Sequence, residues 1–247
     1  MIMSDVQIKT KDGLADGKFF PAGKGAKGPP VIMYMDAFGI RAGMSGMAEK
    51  LAGFGYSVLL PNLYYRSGPQ KAFDPGTAFN DPPERERLMG LMGALTNQKV
   101  MEDTEAFMDF MGKQPSVAGA KFGCVGYCMG GRYALVAAGT FGGRMAASAC
   151  FHGGRLATDQ PDSPHLLAPK MSGTVYIGVA GLDAHFSPEE RERLESALKA
   201  AKVKYTLEVY PNVKHGFAVV DHPVYDPPAA ELHWERMVGL FGANLGA

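Results

Sequence analysis

Cys128 stands in Gly126-Tyr127-Cys128-Met129-Gly130-Gly131, between an apolar run, Phe122 to Val125, and a helix-forming run, Tyr133 to Ala138. Strand, tight turn and helix make an elbow that presents one nucleophile, here with cysteine where serine commonly stands. Glycines two positions to either side leave room for the turn, because a side chain there would meet the strand or the helix. A thiol held in this way lies at a helix N-terminus, where the backbone dipole favours negative charge on sulfur. The chemistry this suits is attack on a carbonyl carbon. The same residues exclude a dinucleotide fingerprint, since Cys128 occupies the third position of G-x-G-x-x-G. Taken alone, Gly-x-Cys-x-Gly is also what a buried structural cysteine would show, so its partners decide.

Two partners follow in order. Asp183 comes just after the apolar run Gly173 to Ala180, and His215 just after the run Lys204 to Tyr210. Each alone reads as a turn or loop residue. Together they supply what a thiol needs: His215 accepts its proton, and Asp183 orients the imidazole and stabilises its cation. Acyl transfer would pass through a thioester, hydrolysed by water that His215 activates. The oxyanion would be held by the backbone N–H of Met129 and by a second N–H from Ala37 or Phe38, after the run Pro30 to Met35. His152, His165, His185, His222 and His233 read as exposed or structural. Among them His152 is the reserve, since it follows a strand, and His185 is close enough to Asp183 to compete for it.

The elements that would position these groups alternate along the chain. Val6 to Phe20, with Asp12-Gly13 and Asp16-Gly17, reads as an edge hairpin. Pro30 to Met35 reads as a strand buried on both faces, followed by a helix over Met44 to Gly53 and a strand over Tyr56 to Leu60. Tyr65 to Asn97, with Pro69, Pro75, Pro82 and Pro83, reads as an irregular excursion over the sheet. A helix over Val100 to Met111 leads to the elbow strand, and a further strand covers Ala146 to Phe151. Ser187, Pro188 and Glu190 mark a helix start that runs to Ala201, and a last helix covers Pro228 to Leu245, with Leu232, Met237, Val238 and Phe241 facing the core. This is an α/β fold, a mostly parallel sheet with helices on both faces, whose ligands bind at the carboxyl ends of the strands.

The bulk numbers fit one domain over 1–247. The 25 basic and 25 acidic residues balance, which favours neither nucleic acid nor an anionic membrane surface. The first residues lack the basic and apolar regions of a signal peptide, and no apolar run is long enough to span a bilayer. Three cysteines without metal-type spacing suggest reduced thiols and a cytoplasmic location.

From about Pro30 to Phe241 the chain resembles the dienelactone hydrolase family. The resemblance rests on Gly126-Tyr127-Cys128-Met129-Gly130-Gly131, Ala180-Gly181-Leu182-Asp183, Pro61-Asn62-Leu63-Tyr64, and Tyr210-Pro211 leading to His215-Gly216-Phe217. It implies a three-layer α/β-hydrolase fold, a monomer, no cofactor, and hydrolysis of lactones or esters. It also implies a carboxylate after the first buried strand that regulates the thiol, and Asp36 stands there. A carboxylate beside the sulfur would oppose its charge until substrate arrives. The family grips an anionic substrate with arginines, one of them four residues after the histidine, but Val219 occupies that position. Little preference for anionic esters is therefore expected unless Arg66, Arg85 or Arg87 supplies charge. Phe38, Tyr64, Tyr65 and Phe217 are candidate pocket residues, with Phe38, Tyr64, Phe217 and Arg85 as the expected substrate contacts, whereas Trp234 on the last helix reads as packing. Rival readings are a broad carboxylesterase or thioesterase on the same fold, and a non-catalytic ligand-binding or thiol-sensing protein. A sensor needs a resolving thiol, and Cys150 could serve only if its strand neighbours the elbow strand.

Overall fold

A computed structural model describes residues 3–246. Its eight strands form one sheet: β1 (Ser4–Thr10), β2 (Gly13–Phe20), β3 (Pro30–Tyr34), β4 (Ser57–Pro61), β5 (Phe122–Tyr127), β6 (Met145–Phe151), β7 (Thr174–Leu182) and β8 (Lys204–Lys214). The order across the sheet is β1-β2-β4-β3-β5-β6-β7-β8. The first two strands pair antiparallel, β2 runs antiparallel to β4, and the remaining neighbours are parallel. The helices are α1 (Ala42–Gly53), α2 (Pro82–Ala94), α3 (Asn97–Gly112), α4 (Met129–Thr140), α5 (Pro188–Ala200) and α6 (Pro227–Leu245). Among the described residues no helix is long and apolar enough to cross a membrane.

The central strands are buried along their whole length because helices cover both faces. In β5 the side-chain period of two sends alternate residues to opposite helices. A Cβ on Gly123 would press on Phe241 and Leu245 of α6, and Tyr127 reaches His233 of α6 at 3.0 Å. Cys124 and Gly126 face α4 instead, where the Cys124 thiol donates to the Ala134 carbonyl at 3.6 Å.

Three local expectations change. The hairpin turns at Lys11-Asp12, closed by the Thr10–Gly13 pair, and Asp16-Gly17 lies inside β2. Gly17 is there for approach: a Cβ would come within 2.9 Å of the Leu60 carbonyl on β4. Secondly, Tyr65 to Asn97 is not irregular throughout, because α2 occupies Pro82–Ala94. Asp81 caps it, accepting from the Glu84 N–H at 3.3 Å. Pro82 and Pro83 start the helix rather than break it, since the first turn has no intrahelical use for their missing N–H groups. Finally, β8 continues to Lys214, so His215 sits directly at a strand end. The expected start of α5 is present, with Ser187 accepting from the Glu190 N–H at 3.2 Å.

Candidate active site

Cys128 is the turn between β5 and α4, with φ 55° and ψ −117°. This is left-handed territory that costs an L-residue about 1–3 kcal/mol. The glycines around it are obligatory. A Cβ on Gly126 would run into the Gly130 carbonyl, and one on Gly130 into the carbonyls of Tyr34 and Met35 at the end of β3. Backbone bonds hold the turn: the Cys128 N–H donates to the Phe151 carbonyl, and the Gly131 N–H to the Cys128 carbonyl, each at 3.1 Å.

Asp183 and His215 meet because β7 and β8 pair to their ends. Leu182 is in register with Lys214, after an irregularity between Ala180 and Leu182, so the next residue of each strand faces the other. His215 Nδ1 lies 2.7 Å from Asp183 Oδ2. The other carboxylate oxygen accepts the His185 N–H at 2.8 Å. Burial pulls the His215 pKa down, but the Cys128 charge, the hydrogen bonds to Asp183 and Cys128, and the Asp183 charge outweigh it and raise it to about 10. The imidazole is therefore held in its protonated form beside the carboxylate of Asp183.

Of the two candidate N–H groups after β3, Phe38's is committed to Asp36 Oδ1 at 3.0 Å, which leaves Ala37's. The Tyr64 hydroxyl donates to the Ala37 carbonyl at 2.9 Å and touches Met129 Sδ at 3.6 Å. Burial first, then the nearby Asp36 and Cys128 charges, push the Tyr64 phenol up, so it remains a donor. Met129 is the first residue of α4, where an N–H has no intrahelical partner.

Cys128, Met129, Ala37 and His215 all line one cavity of about 600 Å³. Its apolar wall is Phe38, Phe79, Met89, Met92 and Leu95. Two of these come from α2, the helix that the prolines concealed. The signal was present in Asp81-Pro82-Pro83-Glu84, an N-cap with proline in the first turn.

Several expected contacts lie elsewhere. Tyr64 stands behind the Ala37 peptide, and Phe217 is fully buried, 4.8 Å from the Tyr210 ring centre and 5.5 Å from that of His152. Arg85 is exposed and does not line the cavity. Arg87 pairs with Glu84 and lies over Phe73, while Arg66 pairs with Asp12 and Asp103. Val219 is buried too. The cavity's arginines are Arg132 and Arg155, which the sequence reading did not single out. Arg132 is spent on Asn97, Asp162 and the Arg155 carbonyl. Trp234 is packing, as expected, buried and tilted against Phe54 with ring centres 6.1 Å apart.

Three of the remaining histidines lie beside the pair, while His165 bonds Ser163 and His233 packs on α6. His185 and His222 line the cavity, and His185 packs 4.7 Å from His215, ring centre to ring centre. His152 is buried 5.1 Å from His215, and its ring nitrogens have no partner among the described residues. Burial pushes its pKa well below the usual value, so it is neutral. Cys150 does neighbour the elbow strand, in register with Gly126. Burial pushes its thiol up to about 12, which makes it a poor resolving nucleophile. Asp183, His185 and His215 offer ligand atoms within 4.8 Å of one another. A metal there would displace the hydrogen bonds that occupy both Asp183 oxygens, and the arrangement fits a hydrogen-bonded charge pair better.

A profile of the dienelactone hydrolase family matches residues 18–245. A carboxymethylenebutenolidase of Pseudomonas putida is 28% identical over 236 residues, 96% of this chain and 94% of its own. The dienelactone hydrolase-like promiscuous phosphotriesterase P91 from metagenomic libraries superposes with a TM-score of 0.79 at 25% identity, with both chains fully covered. An acylaminoacyl peptidase of Pyrococcus horikoshii shares the fold over 99% of this chain and 42% of its own, with a TM-score of 0.75 at 14% identity.

Proposed function

The chain belongs to the dienelactone hydrolase family, hydrolases of lactone or ester bonds, and from that premise we propose that it cleaves apolar carboxylic esters or lactones through Cys128, His215 and Asp183. The observation that carries this is the 2.7 Å His215–Asp183 contact facing an elbow cysteine across one cavity.

The Cys128 thiolate attacks the carbonyl carbon, and the displaced electron pair collects on the carbonyl oxygen. That oxygen accepts from the Met129 and Ala37 N–H groups, donors fixed in place before the charge develops. As the carbonyl re-forms, the C–O bond breaks and the His215 imidazolium protonates the departing alkoxide. In a lactone this oxygen stays tethered as the new hydroxyl. Neutral His215 then takes a proton from water while the hydroxide attacks the thioester. Collapse releases the carboxylic acid and returns the thiolate beside the imidazolium. Asp183 accepts from the ring and holds it in place throughout. No cofactor enters the scheme.

The wall of Phe38, Phe79, Met89, Met92 and Leu95 supports a substrate with an apolar, uncharged acyl or alkyl group. Methionine suits a range of shapes there. A carboxylate-bearing ester is the second reading, favoured by Arg155, an exposed guanidinium at the cavity.

The test is turnover of a neutral p-nitrophenyl acetate, a longer-chain ester, an acyl thioester and a dienelactone by wild type and Cys128→Ala. Neutral esters should be cleaved, and the substitution should abolish this. Turnover indifferent to Cys128 would end the proposal, and a large preference for dienelactone, lost in Arg155→Ala, would favour the second reading.

A further inference from the structure

Asp36 is buried, and its carboxylate is held by the Phe38 N–H and by Arg41. Arg41 grips it with two parallel bonds, Nη1 to Oδ1 at 2.7 Å and Nη2 to Oδ2 at 2.8 Å. The same Nη2 donates to Asp221 Oδ1 at 2.8 Å, and Asp221 Oδ2 accepts the Gly43 N–H at 3.2 Å. The side chains of Arg41 and Asp36 are only 8% and 2% exposed. One cation thus joins two loops that the sheet does not join. The first leaves β3 and carries Ala37 and Phe38. The second leaves β8, begins at His215 and carries Asp221 and His222. Sequence also allows for the contact: a Cβ on Gly43 would collide with the Asp221 carboxylate.

We propose that Arg41 is a positioning residue: by clamping Asp36 to Asp221 it fixes the Ala37 amide relative to the His215 imidazole, and Asp36 serves this clamp rather than restraining the thiol. This rests on the roles proposed above for Ala37 and His215. The two groups act on opposite sides of one reacting carbonyl, so their separation must be held more closely than two independent loops would hold it. A misplacement of about 1 Å costs about 10²-fold in rate. Arg41 suits the task because a planar guanidinium can serve two carboxylates at once, whereas an ammonium is a point charge.

Two variants break the clamp without touching Cys128, His215 or Asp36. Asp221→Asn removes one charge, and Gly43→Ala pushes Asp221 away with no charge removed. Each should lower kcat by about 10- to 100-fold, with KM little changed and the far-ultraviolet circular dichroism of the wild type. Hydrogen exchange should speed up in both 37–39 and 215–225, and Arg41→Lys should behave like the two variants. Folded variants that keep wild-type kcat, or exchange that rises in one loop only, would overturn the clamp. So would an Asp36→Asn enzyme whose Cys128 is alkylated faster while kcat is kept, because that assigns Asp36 to the thiol. The exchange measurement does not depend on turnover, so failure of the clamp is distinguishable from failure of the proposed chemistry.

Discussion

Replacing the nucleophile by glycine should stabilise this protein relative to replacing it by alanine. Cys128 holds φ 55° and ψ −117°, and alanine keeps both the Cβ and the strain. Glycine releases about 1–3 kcal/mol of that strain. Against this stands the extra freedom glycine gives the unfolded chain, about 0.5–1 kcal/mol. Both variants lose the sulfur, its packing and its contact with His215, so those losses cancel in the comparison. The net gain is about 0–2.5 kcal/mol. For a chain of this size each kcal/mol moves the thermal midpoint by about 2–4 °C, so Cys128→Gly should melt up to about 10 °C above Cys128→Ala. Thermal unfolding by circular dichroism, with calorimetry as a check, measures this directly. A glycine variant that melts below the alanine variant would show that the elbow is not strained, and that the surrounding glycines do not serve to force it.

Met92→Trp would fill part of the apolar wall, so kcat/KM for long-chain esters should fall about tenfold while acetate esters change little, measured as a chain-length series. Asp81→Ala removes the cap of α2 at a cost of about 1 kcal/mol; the midpoint should drop, and KM for long esters should rise as the cavity wall loosens. His215, held near pKa 10 against 6.5 for an ordinary imidazole, carries stabilisation that is complete below pH 6.5 and lost as pH rises through about 10. Acylation starts from the free enzyme and uses the same proton, so kcat/KM should fall above about pH 10, and loss of kcat/KM already above pH 7 would contradict the raised His215 pKa. His233 behaves in the opposite sense: burial lowers its pKa to about 3. The unfolded chain then binds the extra proton between pH 6.5 and 3, so stability should decline with acid by about 1.4 kcal/mol per pH unit, a slope that His233→Gln should flatten in denaturant titrations across pH.

The order of elements was legible because period and punctuation agree across most of the chain. Buried strands such as Pro30–Tyr34 and Ser57–Pro61 are unbroken apolar runs, and the Gly126-x-Cys128-x-Gly130 spacing leaves little freedom in the turn. The strand order was legible too, but β7 and β8 run on past Ala180 and Tyr210 to Leu182 and Lys214, and that extension brings Asp183 to His215. What escaped was α2, a helix with an almost even spread of apolar and polar residues, only Leu88 and Leu91 being buried. Without an apolar stripe, its prolines read as breakers. That miss displaced the expected pocket: Met89 and Met92 were overlooked, and Tyr64 and Phe217, which support the site from behind, were taken for its lining. Arg41 escaped for a different reason. It meets Asp221 across 180 residues of chain, and a long-range ion pair leaves no local pattern.

The distribution of backbone strain argues that these features belong together. Among the described residues, the non-glycine ones with left-handed φ are Cys128, His152, Arg155, Lys202 and Asn212. Lys202 closes a helix, where such a conformation is ordinary. The other four lie at the carboxyl ends of β5, β6 and β8. Cys128 is the elbow itself, and Arg155 lines the cavity. His152 lies against His215, and Asn212 sits in the irregular stretch that carries β8 on to it. His152 adds a further cost, two ring nitrogens buried without partners, each worth about 1–3 kcal/mol. Packing alone would select a phenylalanine there. A fold that concentrates conformations of this kind along one edge of its sheet, around one thiol, gives up stability where geometry is needed for chemistry. His152→Phe should therefore raise the melting temperature while lowering kcat. A phenylalanine variant that is more stable and equally active would break the link between strain and function at this edge.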